Sequence, residues 1–172
     1  HYLRGLVLQR RGEVLASIGQ FEKALDKEPR AAEALVALTK SYLALERYDE
    51  AERRLLRAAA ENADPIITSN LLGEIFVATG RLAEARAEYG KAIELRPGAP
   101  LAYERLAQLQ LNDGDASTAI ATLRTGIEAT TGNPLLTSAL PIMLEQSGRI
   151  NEAIAAYEQI LTTNPTSISA VN

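Results

Sequence analysis

Apolar residues recur along the chain at the spacing of an α-helix. Within residues 80–97, Ala85, Tyr89, Ala92 and Ile93 follow one another at intervals of four, three and one residues. This spacing places the four side chains on one stripe of a helix, and most charged residues of the segment fall outside the stripe. Because the stripe is narrow and includes alanines, the sequence predicts a helix that packs closely against a neighbour.

The same pattern returns with a period of 34 residues. Glycine occupies one column of this frame at Gly12, Gly80, Gly114 and Gly148, and Glu46 is the exception. Later columns hold small and large apolar residues: Ser17, Ala51, Ala85, Ala119 and Ala153; Phe21, Leu55, Tyr89, Leu123 and Tyr157; Ala24, Ala58, Ala92 and Gly126, with Ile160 as the exception. Prolines close the units at Pro29, Pro97 and Pro165, and Pro65 comes two residues late. A fixed period without insertions indicates an array of structural repeats.

A second helix is predicted upstream of each glycine column. Its columns are Leu38, Leu72, Leu106 and Leu140; Leu8, Tyr42, Phe76 and Leu144, with Gln110 as the exception; and the small residues Gly5, Thr39, Gly73 and Ala107. We therefore expect ten helices in five antiparallel pairs and no β-strand. The turns within pairs are predicted at Glu46–Arg47, Gly80–Arg81, Asp113–Gly114 and Gly148–Arg149.

This order of apolar, small, aromatic, alanine and proline positions resembles the tetratricopeptide repeat family. It is most complete at Leu72, Gly73, Phe76, Ala85, Tyr89, Ala92 and Pro97. The resemblance covers practically the whole chain and implies an all-α fold, a right-handed α-α superhelix (solenoid) of antiparallel helix pairs. It makes 1–172 a single array with units at about 1–31, 32–65, 66–99, 100–133 and 134–167, and 168–172 would open a sixth. The pattern is specific for the fold and unspecific for function, because it is a packing code.

Both ends of the sequence cut through the repeat frame. His1 falls inside a helix and residues 168–172 begin a sixth unit, so we expect the chain to be an excerpt of a longer array. Apolar stacking surface near Leu3, Val7, Ile154 and Ile160 is then expected to be exposed or covered by another molecule. Self-association through the exposed array ends follows from the same expectation.

Two positions conflict with an ideal helix. Pro141 stands in the middle of the first helix of the fifth unit and is predicted to bend or break it between Thr137 and Pro141. Gly126 lies inside a second helix, where glycine costs about 1 kcal/mol relative to alanine.

The predicted second helix of the second unit carries a run of charges, Glu50, Glu52, Arg53, Arg54 and Arg57. We interpret it as a solvated helix face with charged neighbours four residues apart.

The composition removes several classes of function. The chain has 18 basic and 22 acidic residues with a formal charge of −4, and no basic block suited to nucleic acid. No apolar run approaches the ~20 residues of a membrane span. The absence of cysteine excludes disulfides and thiolate sites, and it is compatible with both the cytoplasm and the periplasm.

Catalytic chemistry is not predicted for these residues. The single histidine is His1 at the end of the sequence, and there is no glycine-rich phosphate loop. A carboxylate metal site at Asp113 and Asp115 is disfavoured, because the segment is typical of a turn in which Asp115 caps the next helix. We expect no enzyme activity, no cofactor and no metal.

The family resemblance implies that function lies in a concave groove lined by the first helices of successive units, with a protein or peptide segment as partner. By that resemblance, the partner-binding residues are Lys40, Asn70, Glu74, Glu104, Arg105, Gln108, Asn112, Ile142 and Glu145. Glu33 and Val36 lie on the same predicted face. Two subtypes of groove are disfavoured. Only Arg105 agrees in the best frame for a carboxylate clamp, and an asparagine ladder would find only Asn70 and Asn112.

Two functions remain open at the level of sequence. One is a protein-interaction scaffold that binds a partner segment in the groove, where alternating charges fix the register. The other is a structural spacer or assembly arm of a larger bacterial-type secretion, polysaccharide-export or enzyme-linked repeat protein. The alanine- and arginine-rich composition resembles bacterial arrays of that second kind.

Overall fold

The computed structural model describes residues 1–163. The helices are α1 (Tyr2–Arg10), α2 (Val14–Lys27), α3 (Ala32–Ala44), α4 (Tyr48–Ala60), α5 (Pro65–Ala78), α6 (Leu82–Leu95), α7 (Pro100–Asn112), α8 (Ala116–Ala129), α9 (Pro134–Gln146) and α10 (Ile150–Thr163). These described residues contain no β-strand, and the four predicted turns lie between helices. The predicted helices and turns are therefore confirmed, whereas Pro165 and the start of a sixth unit lie outside the described residues.

The helices belong to two compact units, which are described separately. Unit 1, His1–Leu95, contains α1 to α6, and unit 2 begins at Arg96 and contains α7 to α10. In each unit every helix packs against the next, and the odd-numbered helices also pack against one another. This order of contacts is that of stacked helix hairpins. The predicted repeat boundaries and the single array stay predictions.

The turns within the helix pairs share one set of backbone hydrogen bonds. The Gly80 N–H donates to the Val77 carbonyl at 3.1 Å, and the Arg81 N–H donates to the Phe76 carbonyl at 2.7 Å. Gly80 has a φ of 73°, a left-handed conformation that glycine adopts without steric cost. The same arrangement closes the turns at Gly12, Gly114 and Gly148. Glu46 adopts the same left-handed conformation with a φ of 55°. A residue with a Cβ atom pays a steric cost there, and glycine avoids that cost in the rest of the column.

A small residue on the first helix of a pair allows a large one on the second helix to approach closely. A Cβ atom on Gly73 would overlap the ring of Tyr89, and one on Gly5 would overlap the ring of Phe21. Both rings are fully buried as a result. The small and large columns of the sequence therefore describe a single contact between the two helices of a pair.

The fifth helix pair departs from this contact. Pro141 stands where Gly73 stands in the third pair, and α9 continues through it without the predicted break. Tyr157, in the column of Tyr89, is 40% exposed, whereas Tyr89 is 2% exposed. The Tyr157 hydroxyl donates to Glu145 Oε2 at 3.4 Å. The fifth pair, with proline in the small-residue column, therefore does not bury its tyrosine as the third pair does.

The interpretation of the charge run as a solvated face is wrong for Arg54. This side chain is buried, and its Nε donates to Glu22 Oε2 on α2 at 3.0 Å. Glu22 Oε1 also accepts from the Tyr42 hydroxyl at 3.1 Å. Burial, and then the charge of Glu22, raise the pKa of Tyr42 to about 12. Arg54 therefore joins α4 to the preceding helix pair. Glu50 pairs with Arg47, three residues earlier, and not with Arg54, four residues later.

The predicted cap of α8 and the predicted exposure of apolar residues on α1 and α10 agree with the structure in most cases. Asp115 Oδ1 accepts from the Thr118 N–H at 3.1 Å, which confirms the predicted cap of α8. On α1 and α10, Leu3, Val7 and Ile154 are exposed, as expected. Ile160 differs from the expectation because it is half-buried.

Candidate functional site

The predicted partner-binding residues all lie on first helices of the pairs. Lys40 is on α3; Asn70 and Glu74 are on α5; Glu104, Arg105, Gln108 and Asn112 are on α7; Ile142 and Glu145 are on α9. The residues on α3 and α5 belong to unit 1, and the others belong to unit 2. The predicted residues therefore form two separate sets.

Unit 1 carries a concavity of about 480 Å³ on the surface formed by α1, α3 and α5. We call it the unit 1 concavity. Its apolar lining includes Tyr2 and Leu6 from α1, Val36 from α3 and Ile67 from α5. All four side chains are half-buried, so the molecule's own packing leaves part of this apolar surface open to solvent.

Polar groups of the unit 1 concavity come from α1 and α3. Glu33 and Lys40 are exposed, and neither has a hydrogen-bond or ion-pair partner among residues 1–163. Gln9 is held in place because its Nε2 donates to Ser41 Oγ at 3.1 Å. The Ser41 hydroxyl in turn donates to the Ala37 carbonyl at 2.9 Å. The concavity thus combines an apolar lining, one fixed amide and two charges that no ion pair neutralises.

Asn70 differs from the expectation for a surface contact. Its side chain is 6% exposed, and its Nδ2 donates to the Ile66 carbonyl of the same helix at 2.8 Å. The Oδ1 atom is buried and has no hydrogen-bond partner among the described residues. Glu74, one turn further along α5, is half-buried. A partner can therefore reach Glu74 more readily than Asn70.

In unit 2 the predicted residues of α7 interact with their own neighbours. Glu104 Oε2 lies 3.6 Å from Arg105 Nε, and Gln108 Nε2 donates to Asn112 Oδ1 at 2.9 Å. Arg105 and Asn112 are exposed. This face of α7 is polar and accessible.

The two predicted residues of α9 have different surroundings. Ile142 is 48% exposed and offers an apolar contact. Glu145 accepts a hydrogen bond from Tyr157, so its carboxylate is directed towards α10. Partial burial and the charge of Glu145 raise the pKa of the Tyr157 hydroxyl. Of the two, Ile142 is the better placed to contact a partner.

The α1 wall of the unit 1 concavity was not among the predicted binding residues. Tyr2 and Leu6 lie 34 residues before Val36 and Lys40. The 34-residue frame therefore places Tyr2 and Leu6 on the same face of their helix as Val36 and Lys40. What the frame could not show is that this part of the surface is hollow.

Metal-binding and membrane-spanning features are absent from the described residues. No three His, Asp or Glu side chains in the part of the chain that the structure describes lie close enough to hold a metal ion. Over the same residues, every helix is too short or too polar to cross a lipid bilayer.

The fold and its surface define the class of the protein. Helix hairpins that share one turn geometry, pack small residues against large ones and stack in sequence order within each unit are characteristic of a helical repeat protein. Three family profiles match the chain: two described as tetratricopeptide repeat over residues 11–74 and 143–167, and one described as TPR repeat over residues 73–114. The chain belongs to the tetratricopeptide repeat family.

Solved structures agree with this assignment. TTC0263, a thermophilic TPR protein of Thermus thermophilus, is 24% identical, with a TM-score of 0.70, 98% of this chain covered and 92% of that one. MamA is 20% identical, with a TM-score of 0.66 and 96% of each chain covered. YrrB, a TPR protein with an unusual peptide-binding site, is 18% identical, with a TM-score of 0.57, 95% of this chain covered and 84% of that one. These likenesses confirm the predicted all-α repeat fold.

The comparisons also bear on the kind of function. No curated protein sequence matches the chain. The tetratricopeptide repeat fold is consistent with a protein-interaction scaffold and points to a non-catalytic protein.

Proposed function

We propose that this chain is a protein-interaction scaffold that binds a segment of a partner protein on the surface of its first helices. The observation that carries the proposal is the unit 1 concavity, with its half-buried apolar lining and the charges of Glu33 and Lys40, which have no ion-pair partner among residues 1–163. Apolar surface open to solvent favours association, and charged groups at its rim select the partner. A concavity of this size is within the range of about 300–1,000 Å³ that is usual for binding pockets.

The polar face of α7 is the proposed contact surface in unit 2. Arg105 and Asn112 are exposed on α7, where Glu104 and Gln108 are half-buried. On α9, Ile142 is exposed. Asn70 and Glu145 are left out of the proposed contact set, since the first is buried and the second bonds to Tyr157. YrrB is described as having a peptide-binding site, and its likeness to this chain is a likeness of fold.

The experiment is an unbiased selection of peptides from a displayed random library against the purified chain, followed by calorimetric titration. We expect the selected peptides to bind. Lys40→Glu should lower the affinity for peptides bound in unit 1, and Arg105→Glu should lower it for peptides bound in unit 2. The loss should be about 1–3 kcal/mol wherever a charged hydrogen bond is broken. Binding should be unchanged in Lys23→Glu and Arg86→Glu, which alter exposed cations on the second helices α2 and α6.

Two results would contradict the scaffold function. If no peptide is selected, the alternative of a structural spacer or assembly arm takes its place. If all four substitutions weaken binding equally, the interaction is a non-specific attraction to positive charge.

A further inference from the structure

We propose that the unit 1 concavity binds an extended segment in which an apolar residue stands between a basic and an acidic residue. The basic residue pairs with Glu33 and the acidic residue pairs with Lys40. This inference rests on the proposed function and adds to it the chemistry of the partner.

The apolar centre of the segment follows from the lining. Tyr2, Leu6, Val36 and Ile67 come from three helices and surround the same space. Each of them is half-buried in the free protein, and the neighbouring positions on α3 are the small residues Ala32 and Ala37. An apolar side chain that enters this space removes apolar surface from water on both partners. A polar side chain would lose hydrogen bonds to water there, because the lining offers few in return.

The two flanking charges follow from α3. Glu33 and Lys40 are the only charged residues of this helix, and both line the unit 1 concavity. Neither has an ion-pair partner among residues 1–163. Glu33 also stabilises the positive end of the helix, since it lies in the first turn. Lys40 is outside the last turn, so the helix dipole supplies no comparable reason for a cation at that position.

The spacing of the charges sets the length of the segment. Glu33 and Lys40 are seven residues apart on one helix, which corresponds to a rise of about 10 Å. In an extended chain, residues two apart face the same side and each residue advances about 3.3 Å. Charged residues four positions apart, with the apolar residue midway, span about 13 Å and share one face. This span slightly exceeds the rise from Glu33 to Lys40, so each charge of the segment can reach the opposite charge on α3.

The test uses capped peptides with the order lysine–serine–leucine–serine–glutamate and the reverse order, so that both chain directions along α3 are sampled. The matched peptides carry lysine at both ends, glutamate at both ends, or serine in place of leucine. We expect at least one dipolar peptide to bind the chain about three- to tenfold more tightly than the peptide with two lysines or the peptide with two glutamates. The peptide without leucine should show no measurable binding.

The charge variants supply the decisive readout. Glu33→Lys should shift the preference to the peptide with two glutamates, and Lys40→Glu should shift it to the peptide with two lysines. Lys23→Glu is the control and should leave the order of affinities unchanged. Both variants alter exposed positions, and circular dichroism spectra that match the parent would show that they are folded.

The outcomes separate this inference from the proposed function. If the random library yields peptides that bind, but without the charge pattern and without the exchange of preference, the inference is overturned and the scaffold function stands. If the library yields no peptide, both are overturned. Enrichment of an apolar residue between opposite charges, lost in Lys40→Glu, would support both.

Discussion

Two glycines inside second helices look alike in the sequence but have different surroundings in the structure. A Cβ atom on Gly126 would lie 2.6 Å from Tyr103 Cγ and 2.9 Å from Leu136 Cδ1. A Cβ atom on Gly90 would meet nothing within 4 Å. Gly126 is therefore needed where α8 approaches α7 and α9, whereas Gly90 is only a weak helix former.

This difference predicts opposite effects of the same substitution. Gly126→Ala should lower the free energy of unfolding by about 1–2 kcal/mol, because the cost of overpacking exceeds the gain in helix propensity. Gly90→Ala should raise it by up to about 1 kcal/mol, because only the propensity changes. Urea denaturation of the two variants measures both values. Equal stabilisation by both substitutions would show that the close approach at Gly126 is not a constraint.

At the scale of the helix, the position of a proline decides its effect. Pro134 occupies the start of α9, where the missing N–H has no partner in the helix anyway. Pro141 lies inside the same helix and removes the bond that its N–H would donate to the carbonyl of Thr137. In the repeat frame it takes the position of Gly73, and Tyr157, which takes the position of Tyr89, is partly exposed.

We expect Pro141→Ala to raise the free energy of unfolding by up to about 3 kcal/mol, through the restored bond and the relief of crowding. Urea denaturation of the variant and the parent measures this difference. Pro134→Ala is the matched control and should have little effect. A loss of stability in Pro141→Ala would mean that the proline ring contributes more through packing than it costs through the backbone.

Across the whole molecule, one ion pair recurs at the start of second helices in both units. Glu50, Glu84 and Glu152 each accept a hydrogen bond from an arginine three residues earlier, at 2.6, 2.6 and 2.7 Å. These bonds from Arg47, Arg81 and Arg149 lower the pKa of the three carboxyl groups. Because the pKa is lower in the folded state, each pair stabilises the fold above the ordinary pKa of glutamate. That contribution is lost as the pH falls through the lowered value.

The thermal midpoint should therefore fall as the pH is lowered from about 5 to about 3. Arg81→Gln should flatten this dependence, because the pKa of Glu84 then returns towards its ordinary value. Lys23→Gln is the control, since Lys23 has no ion-pair partner among residues 1–163. Thermal unfolding followed by circular dichroism at several pH values gives the comparison. Parallel curves for the parent and Arg81→Gln would contradict the assigned role of the pair.

The sequence determined the fold because packing repeats every 34 residues. Helix period, the glycine column at left-handed turns and the match of Gly73 with Tyr89 are local or fixed-offset properties, and a single chain displays them. The surface proposed for partner contact was only partly predictable. The frame placed Lys40 and Arg105 on exposed first-helix surface, but it also placed Asn70 there, which is buried.

Tertiary structure decided the features that depend on what lies across a gap. Arg54 looks like its charged neighbours in the sequence, and it is buried because Glu22 of the preceding helix pair lies within 3.0 Å of it. Gly126 looks like a helix weakness, and it is required because Tyr103 and Leu136 come close. The hollow between α1, α3 and α5 exists because the half-buried side chains there do not fill the space between three helices. A repeat frame fixes which residues face a surface, and only the packed side chains fix its depth.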